Sequence, residues 1–493
     1  MVSSVFITLI ICALVLLLWG ALKAFYSLWW KPKRLEKQLK KQGIKGTPYK
    51  ILYGDMKEYI KLITEAWAKP INLNHQITPR VVPFIKNIVQ TYGKVSLIWA
   101  GTTPRLIILD PEMMKEVLSD KSGHFQKPPM NPLILMLAKG LTILEGDKWS
   151  KHRRIINPAF HLEKLKGMIP AFSISCIELI ERWKNLVDPT QGSCELDVWP
   201  EMENLTADII SRTAFGSNYK EGKRLFELQK EQIVLTIEAM QSLYIPGFRF
   251  LPTKKNQRRN YLAKEVKAIL TGFISRKEEL IRTDQSSTGD LLGLLLQSNN
   301  TGNNGMAIED VIEECKVFYV AGQETTSSLL TWTIIALAMH PNWQEKAREE
   351  VQEICGKNAP DFKAINNLKI VTMIIYEVLR LYSPVVEIYR HTCKRTKVGD
   401  ISLPPGIDLT LPILLIHHEN EFWGDDAEEF KPERFAEGIL NASKDQQAFF
   451  PFSWGPKICI GQNFAMIEAK MALAMILQNF SCNKSNNSSL SKI

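Results

Sequence analysis

From Met306 to His340 the sequence follows a helical pattern that is apolar through its middle and is stopped by Pro341. A helix so long with so few charges must run through the core of whatever it folds into. Inside it lies Ala321-Gly-Gln-Glu-Thr-Thr326. A helical glycine costs roughly 1 kcal/mol relative to Ala, so Gly322 implies that something needs room beside the backbone. Thr325 is able to bond a carbonyl one turn back, which bends the helix locally and leaves a groove. A buried acid beside a hydroxyl is expensive unless it is paired or used, which marks Glu324 for attention. Standing alone, the motif reads better as a Thr-rich packing face.

A second segment changes that balance. Phe452-Ser-Trp-Gly-Pro-Lys-Ile-Cys-Ile-Gly461 sets one thiol between two glycines, with an aromatic ahead and a cation beside it. Glycines let backbone turn tightly and approach a flat group closely. Backbone N–H groups around Cys459 are expected to hold its sulfur as a thiolate, helped by the basic Lys457. One cysteine cannot make a zinc or iron–sulfur site, which need several ligands. A single thiolate on a haem iron fits, because it donates electron density that favours O–O cleavage. The bland alternative is a buried free cysteine in a loop. The spacing F-x-x-G-x-K-x-C-x-G argues against it.

The rest of the chain is consistent with one large domain behind an N-terminal anchor. At 493 residues and 45% apolar it can bury a sizeable core. No Gly/Ser- or Pro-rich linker divides it, so residues 1–30 are expected to form the anchor and 31–493 a single catalytic domain. Asn299–Gly305 reads as a surface loop. The eight cysteines are scattered and suit a reducing compartment. Val5 to Leu22 is uncharged and apolar, and Lys31-Pro-Lys-Arg34 follows it. At 1.5 Å per residue about 18 residues span roughly 27 Å, enough for the endoplasmic reticulum bilayer. A cleaved signal peptide would carry its basic residues ahead of the apolar run. The positive-inside rule therefore keeps this basic cluster cytosolic with the N-terminus lumenal, and sequons such as Asn204-Leu-Thr206 stay unmodified. The net charge of +9 favours anionic lipid or an acidic partner. No basic stripe interleaved with aromatics appears, so nucleic acid is not expected as a partner.

Further motifs read as scaffold. A helix expected from Ile365 to Tyr382 carries Glu377-Val-Leu-Arg380, an acid and a base on one face. The apolar residues around it, Ile374, Ile375, Val378, Leu379 and Leu381, argue that the pair is buried. Arg434 in Pro432-Glu-Arg-Phe435 is the candidate third member. Trp149 and Arg153 stand one helical turn apart. His417 and His418, read as neighbours on a strand, would point to opposite faces and could not share a metal.

At these residues the chain resembles the cytochrome P-450 superfamily, over nearly its whole length. The resemblance implies a mainly α fold with a smaller β region, a single N-terminal transmembrane helix and haem b (iron protoporphyrin IX). It implies Cys459 as the iron ligand, Phe452 and Gly461 as cofactor-loop residues, and Trp149, Arg153, Arg390 and Lys457 as contacts to the propionates. It gives Glu324 and Thr325 the delivery of protons to the oxygen site, and Glu377, Arg380 and Arg434 a structural lock. Lys31–Lys57, Gly140–Phe172 and Ala321–Thr333 look like a plant group that contains secologanin synthase, 7-deoxyloganate hydroxylase and several triterpenoid oxidases. That likeness implies a terpenoid substrate (an iridoid glucoside or a triterpenoid), O₂, and an NADPH-cytochrome P-450 reductase as partner. Pocket walls are expected from Phe125–Leu144, Val317–Thr326 and Val385–Tyr389.

Three departures from the family pattern stand out. Lys457 replaces the usual Arg, whose planar fork suits carboxylates better. Ser453 replaces a usual Gly, at a cost of about 1 kcal/mol if the position needs φ > 0. After the helix Gln462–Phe480 the tail is polar and shows no strand pattern, so the terminal β-hairpin of the family is expected to be missing through truncation. A membrane-anchored monooxygenase is the main expectation. A catalytically inactive, anchored haem- or ligand-binding protein is the alternative. A reductase-independent isomerase or dehydratase is disfavoured by the intact Glu324-Thr325.

Overall fold

The protein is described from a computed structural model, in residues 2–70, 73–216, 219–242, 247–283, 290–299, 305–444 and 448–484. Most of the Asn299–Gly305 loop and residues 485–493 of the tail lie outside them. The chain forms two compact units, one of residues 1–69, 78–128 and 387–415, the other of residues 70–77, 129–386 and 416–493.

The first unit carries the apolar helix Val2–Phe25, a π-helical turn Tyr26–Trp30 and the helix Lys31–Lys40. From Val5 to Phe25 the side chains of this helix are exposed, Leu16 at 67% and Leu17 at 69%. An apolar helix charged only at Lys23 in its last turn, with no protein covering these faces, is compatible with a membrane anchor.

Among the described residues all eight strands belong to this unit: β1 (Lys45–Gly46), β2 (Val95–Ala100), β3 (Thr103–Ile108), β4 (Phe125–Gln126), β5 (Ile388–Thr392), β6 (Thr396–Val398), β7 (Ile401–Leu403) and β8 (Asp408–Leu411). Six form a mixed sheet in the order β1-β2-β3-β8-β5-β4, and β6 and β7 pair separately. Leu97 faces Leu106 across β2 and β3, and Ile107 faces Thr410 across β3 and β8. The central strands are buried on both faces, which suits their run of β-branched and leucine residues.

The second unit is helical and is built on Ile308–Met339, the long helix expected from the sequence. Its closest neighbour is the helix Val198–Phe215. Phe215 and Tyr319 stack with ring centroids 4.1 Å apart. A methyl at Gly322 would lie 2.9 Å from Ile210 side-chain atoms. The room that the sequence implied beside Gly322 is thus taken by a neighbouring helix.

The helix expected from Ile365 to Tyr382 is two helices, Phe362–Asn367 and Lys369–Leu381. Glu350 makes the break, because its carboxylate accepts the backbone N–H groups of Lys369, Ile370 and Val371 at 2.7, 2.7 and 3.0 Å. Those are the orphan donors of the second helix.

Glu377 and Arg380 are fully buried. Arg380 meets Glu377 through Nε and Nη2 at 2.8 and 2.7 Å, and its remaining N–H groups reach the carbonyls of His417, Ala427 and Glu429. All five guanidinium donors are therefore used. Arg434 joins at 3.7 Å from Glu377 and is held by Asp426 at 2.6 Å. His417 and His418 sit in a turn after the short helix Ile413–Ile416, not on a strand. His418 bonds Glu428 and the Leu381 carbonyl. His417 lies between Ser383 Oγ at 3.1 Å and the backbone N–H of Phe450 at 3.0 Å.

Past the last helix, Cys482 is pinned to Gln344 by two bonds of 2.7 and 2.8 Å.

A buried chain of polar rings lies in the same unit. His75 meets Tyr382 OH at 2.6 Å and His340 Nε2 at 2.9 Å. Burial, followed by the neighbouring His340 and the Arg380 charge, pushes the His75 imidazole down to about 4 from an ordinary 6.5. An unfolded chain binds a proton here between those values and the folded one does not. Stability contributed by this group is therefore present above about pH 6.5 and lost as pH falls toward 4. Urea unfolding midpoints measured from pH 7 to 4.5 should fall less steeply in His75→Gln than in the parent; parallel curves would remove His75 as a cause.

Candidate active site

The loop from Phe450 to Gly461 is closed by its own backbone. Ser453 N–H reaches the Phe450 carbonyl at 3.0 Å, Ile458 N–H the Gly455 carbonyl at 3.1 Å, and Cys459 N–H the Phe452 carbonyl at 2.9 Å. Two residues take left-handed backbone, Ser453 at φ 67° and Gly455 at φ 70°. Gly461 has φ −88°, which any residue adopts. The conformational demand anticipated for both flanking glycines is met by Gly455 and by Ser453, a residue with a Cβ. Ser453 Oγ is buried without a hydrogen-bond partner, so the serine gains nothing there for its strain.

Cys459 is exposed to solvent. The surrounding protein raises the thiol, and the Gly461 N–H and the Arg153 charge act against that rise. Arg153 comes from the helix Gly146–Ile156, where it lies one turn from Trp149. Its Nη1 donates to the Ile458 carbonyl at 2.9 Å, which seats the guanidinium beside the loop. Lys457 was expected to be the cation that favours the thiolate. The structure pairs it instead with Glu145 and sets its Nζ 5.8 Å from the Trp149 ring. The positive charge that bears on the sulfur is Arg153. An accessible thiol with a guanidinium beside its loop, and an indole one turn from that guanidinium, fits a planar anionic cofactor whose metal takes its other ligands from a macrocycle. The residues thus fit haem.

Arg390 belongs to the other unit. It is buried on β5 opposite Leu409, and its Nη1 donates to the Tyr389 carbonyl at 2.9 Å. Phe452 and Gly461 stand in the loop, and Trp149, Arg153 and Lys457 gather beside it.

On the long helix, Thr325 Oγ1 donates to the Ala321 carbonyl at 2.7 Å, the one-turn bond that its position implied. Glu324 is half-buried and its carboxyl is pushed up, first by burial and then by Glu203, against the charge of Lys230. Glu203 and Lys230 form a pair at 2.8 Å.

One residue was missed by the sequence reading. Glu468 is fully buried, and among the described residues neither carboxylate oxygen has a partner in hydrogen-bond geometry. Burial lifts it well above the carboxylate range, opposed by the Thr326 hydroxyl, so it is held neutral. The available signal was an acid inside the apolar run Phe464–Leu477.

The strain at Ser453 can be measured. Ser453→Gly should raise stability by about 1 kcal/mol, seen as a later urea midpoint at unchanged slope. A midpoint that does not move would mean that the loop relaxes around the serine.

Comparison with known proteins agrees with this geometry. Residues 69–492 match the family model described as cytochrome P450. Cytochrome P450 CYP72A616 from Paris polyphylla is 55% identical over 477 residues, which cover 95% of this chain and 92% of that protein. Cytochrome P450 CYP72A219 from Panax ginseng is 51% identical, covering 95% and 92%. The 7-deoxyloganic acid hydroxylase of Catharanthus roseus is 50% identical, covering 92% and 89%. With a mainly helical fold, an accessible thiol in a closed loop and relatives of this closeness, the chain belongs to the cytochrome P450 family, whose cofactor is a haem-thiolate.

Proposed function

We propose that this protein is a membrane-anchored monooxygenase that inserts one atom of O₂ into a terpenoid, an iridoid glucoside or a triterpenoid. Its electrons come from NADPH through a cytochrome P450 reductase, and its cofactor is haem b. The observation that carries the reading is Cys459, accessible to solvent and flanked by Arg153, in a unit whose long helix bears Glu324 and Thr325. The 50% identity to a protein named for hydroxylating 7-deoxyloganic acid supports the substrate class. The exposed apolar helix Val2–Phe25 supports a single-pass anchor in the endoplasmic reticulum, with the catalytic part cytosolic.

In this reading Cys459 ligates the iron through its thiolate. Phe452 and Gly461 shape the loop around the cofactor, and Trp149, Arg153 and Lys457 hold the propionates. When bound, haem supplies the activation of oxygen. Everything else falls to side chains. Arg153 keeps positive charge beside the sulfur and so favours the anion over the thiol. Thr325, fixed by its bond to Ala321, presents a hydroxyl that can order water. Glu324, its carboxyl raised by burial and by Glu203, supplies the proton. Apolar walls from residues 129–144 and Val317–Thr326 exclude water and orient the substrate by shape.

Two substitutions test these roles. Cys459→Ser should abolish both the thiolate-type carbon monoxide difference spectrum and turnover; an unchanged spectrum would refute the ligand assignment. Thr325→Ala should leave haem and substrate binding intact while lowering product formed per NADPH consumed, with the balance appearing as hydrogen peroxide. An unaltered ratio would place the proton route elsewhere.

A further inference from the structure

The opening turns of the long helix bear four acids, of which Asp310, Glu313 and Glu314 reach other elements. Glu314 is fully buried. Its Oε1 meets His152 Nδ1 at 2.6 Å, and its Oε2 accepts the Leu141 backbone N–H at 3.0 Å. Glu313 accepts the Lys139 N–H at 2.8 Å. Asp310 takes Lys148 Nζ at 2.7 Å and faces His152 Nε2 at 3.7 Å. His152 is only 2% exposed. A methyl at Gly140 would fall 2.6 Å from Glu314 Oε2, and Gly140 is not in the left-handed region. That glycine is therefore required by the approach of the carboxylate and not by backbone torsion.

One carboxylate thus joins three elements: the long helix, the turn at Lys139–Leu141, and the helix Gly146–Ile156. His152 immediately precedes Arg153 and follows Trp149 on that last helix. Seating His152 on Glu314 and Lys148 on Asp310 fixes the rotation of the helix about its axis, and so fixes where Arg153 and Trp149 project. Thr325 lies about three turns further along the helix that bears Glu314. We propose that Glu314 is a positioning residue for the oxygenation: it sets the wall turn at Gly140–Leu141 and the Arg153 helix in a single register against the helix that carries Thr325. The proposal rests on the reading of Cys459 and Arg153 as the haem site.

Removal of the carboxylate takes away the bond to the Leu141 N–H and the bond to His152 Nδ1. Glutamine is able to replace it: its amide oxygen accepts from Leu141, and its NH₂ donates to His152 once the imidazole proton sits on Nε2, toward Asp310.

The test uses the full-length, haem-loaded protein as parent, E314A, E314Q and G140A. Three readouts are taken well below the unfolding temperature: amide hydrogen exchange along the chain, the rate of haem transfer to excess apomyoglobin, and the carbon monoxide difference spectrum. E314A and G140A should speed exchange in residues 139–144 and haem loss by about tenfold each, with exchange elsewhere unchanged and a thiolate-type spectrum retained. E314Q should stay near the parent. The clamp is overturned by parental exchange and haem loss in E314A, by faster exchange spread evenly over the chain, or by E314Q behaving as E314A. A parent without a thiolate-type spectrum would refute the Cys459 reading instead and leave the exchange data to decide the clamp.

Discussion

The buried pair of Glu377 and Arg380 is the interaction on which the second unit depends. A guanidinium and a carboxylate with no exposure are tolerable only if every donor and lone pair is used, and here the surrounding chain is arranged to use them. Arg380 gathers the carbonyls of residues 417, 427 and 429, and Glu377 takes the Lys431 N–H at 2.9 Å. The irregular segment after Ile416 has little regular secondary structure of its own, so this ion pair supplies much of its order. His417 carries that order onward. Its Nε2 accepts the Phe450 N–H and its Nδ1 meets Ser383. Burial and the Arg380 charge hold the imidazole neutral, which is what an accepting Nε2 requires. The loop that bears Cys459 begins at Phe450, so its position traces back to the ion pair through a single neutral histidine.

The electrostatics of the candidate site follow a different rule. Enclosure works against charge on both Cys459 and Arg153, and each partly offsets the loss of the other. Such a pair is poised for a cofactor that brings negative charge to the guanidinium and a cation to the sulfur. Two other acids are treated in opposite ways. Glu324 keeps partial contact with solvent and a lysine–glutamate pair. Glu468 is shut away from both, and burial raises its carboxyl well above the ordinary carboxylate range.

Local strain falls in the same loop, and at Leu52 with φ 68°. A serine at φ 67° whose hydroxyl has no hydrogen-bond partner among the described residues is a conflict between a residue and its backbone, and closure of the loop by three backbone hydrogen bonds keeps it in place. The tighter helix contact at Gly322 shows the converse case, in which the residue choice and the packing agree.

What the sequence by itself determined was whatever depends on spacing along one element. The long apolar helix, the Thr325 bond to the carbonyl one turn back, the Glu377–Arg380 pairing, and the turn between Trp149 and Arg153 all follow from helical periodicity. The need for left-handed backbone at position 453 was legible too, as a residue at odds with its motif. Only tertiary structure decided contacts between distant segments. It gave Lys457 to Glu145, assigned the influence on Cys459 to Arg153, filled the space at Gly322 with Ile210, and placed His417 in a turn that links the ion pair to the cysteine loop. It also split the helix at Leu368, because the capping carboxylate comes from Glu350 on a separate helix. Partner choice among buried charges is set by which groups the fold encloses together, and enclosure is a property of the whole chain that no local pattern encodes.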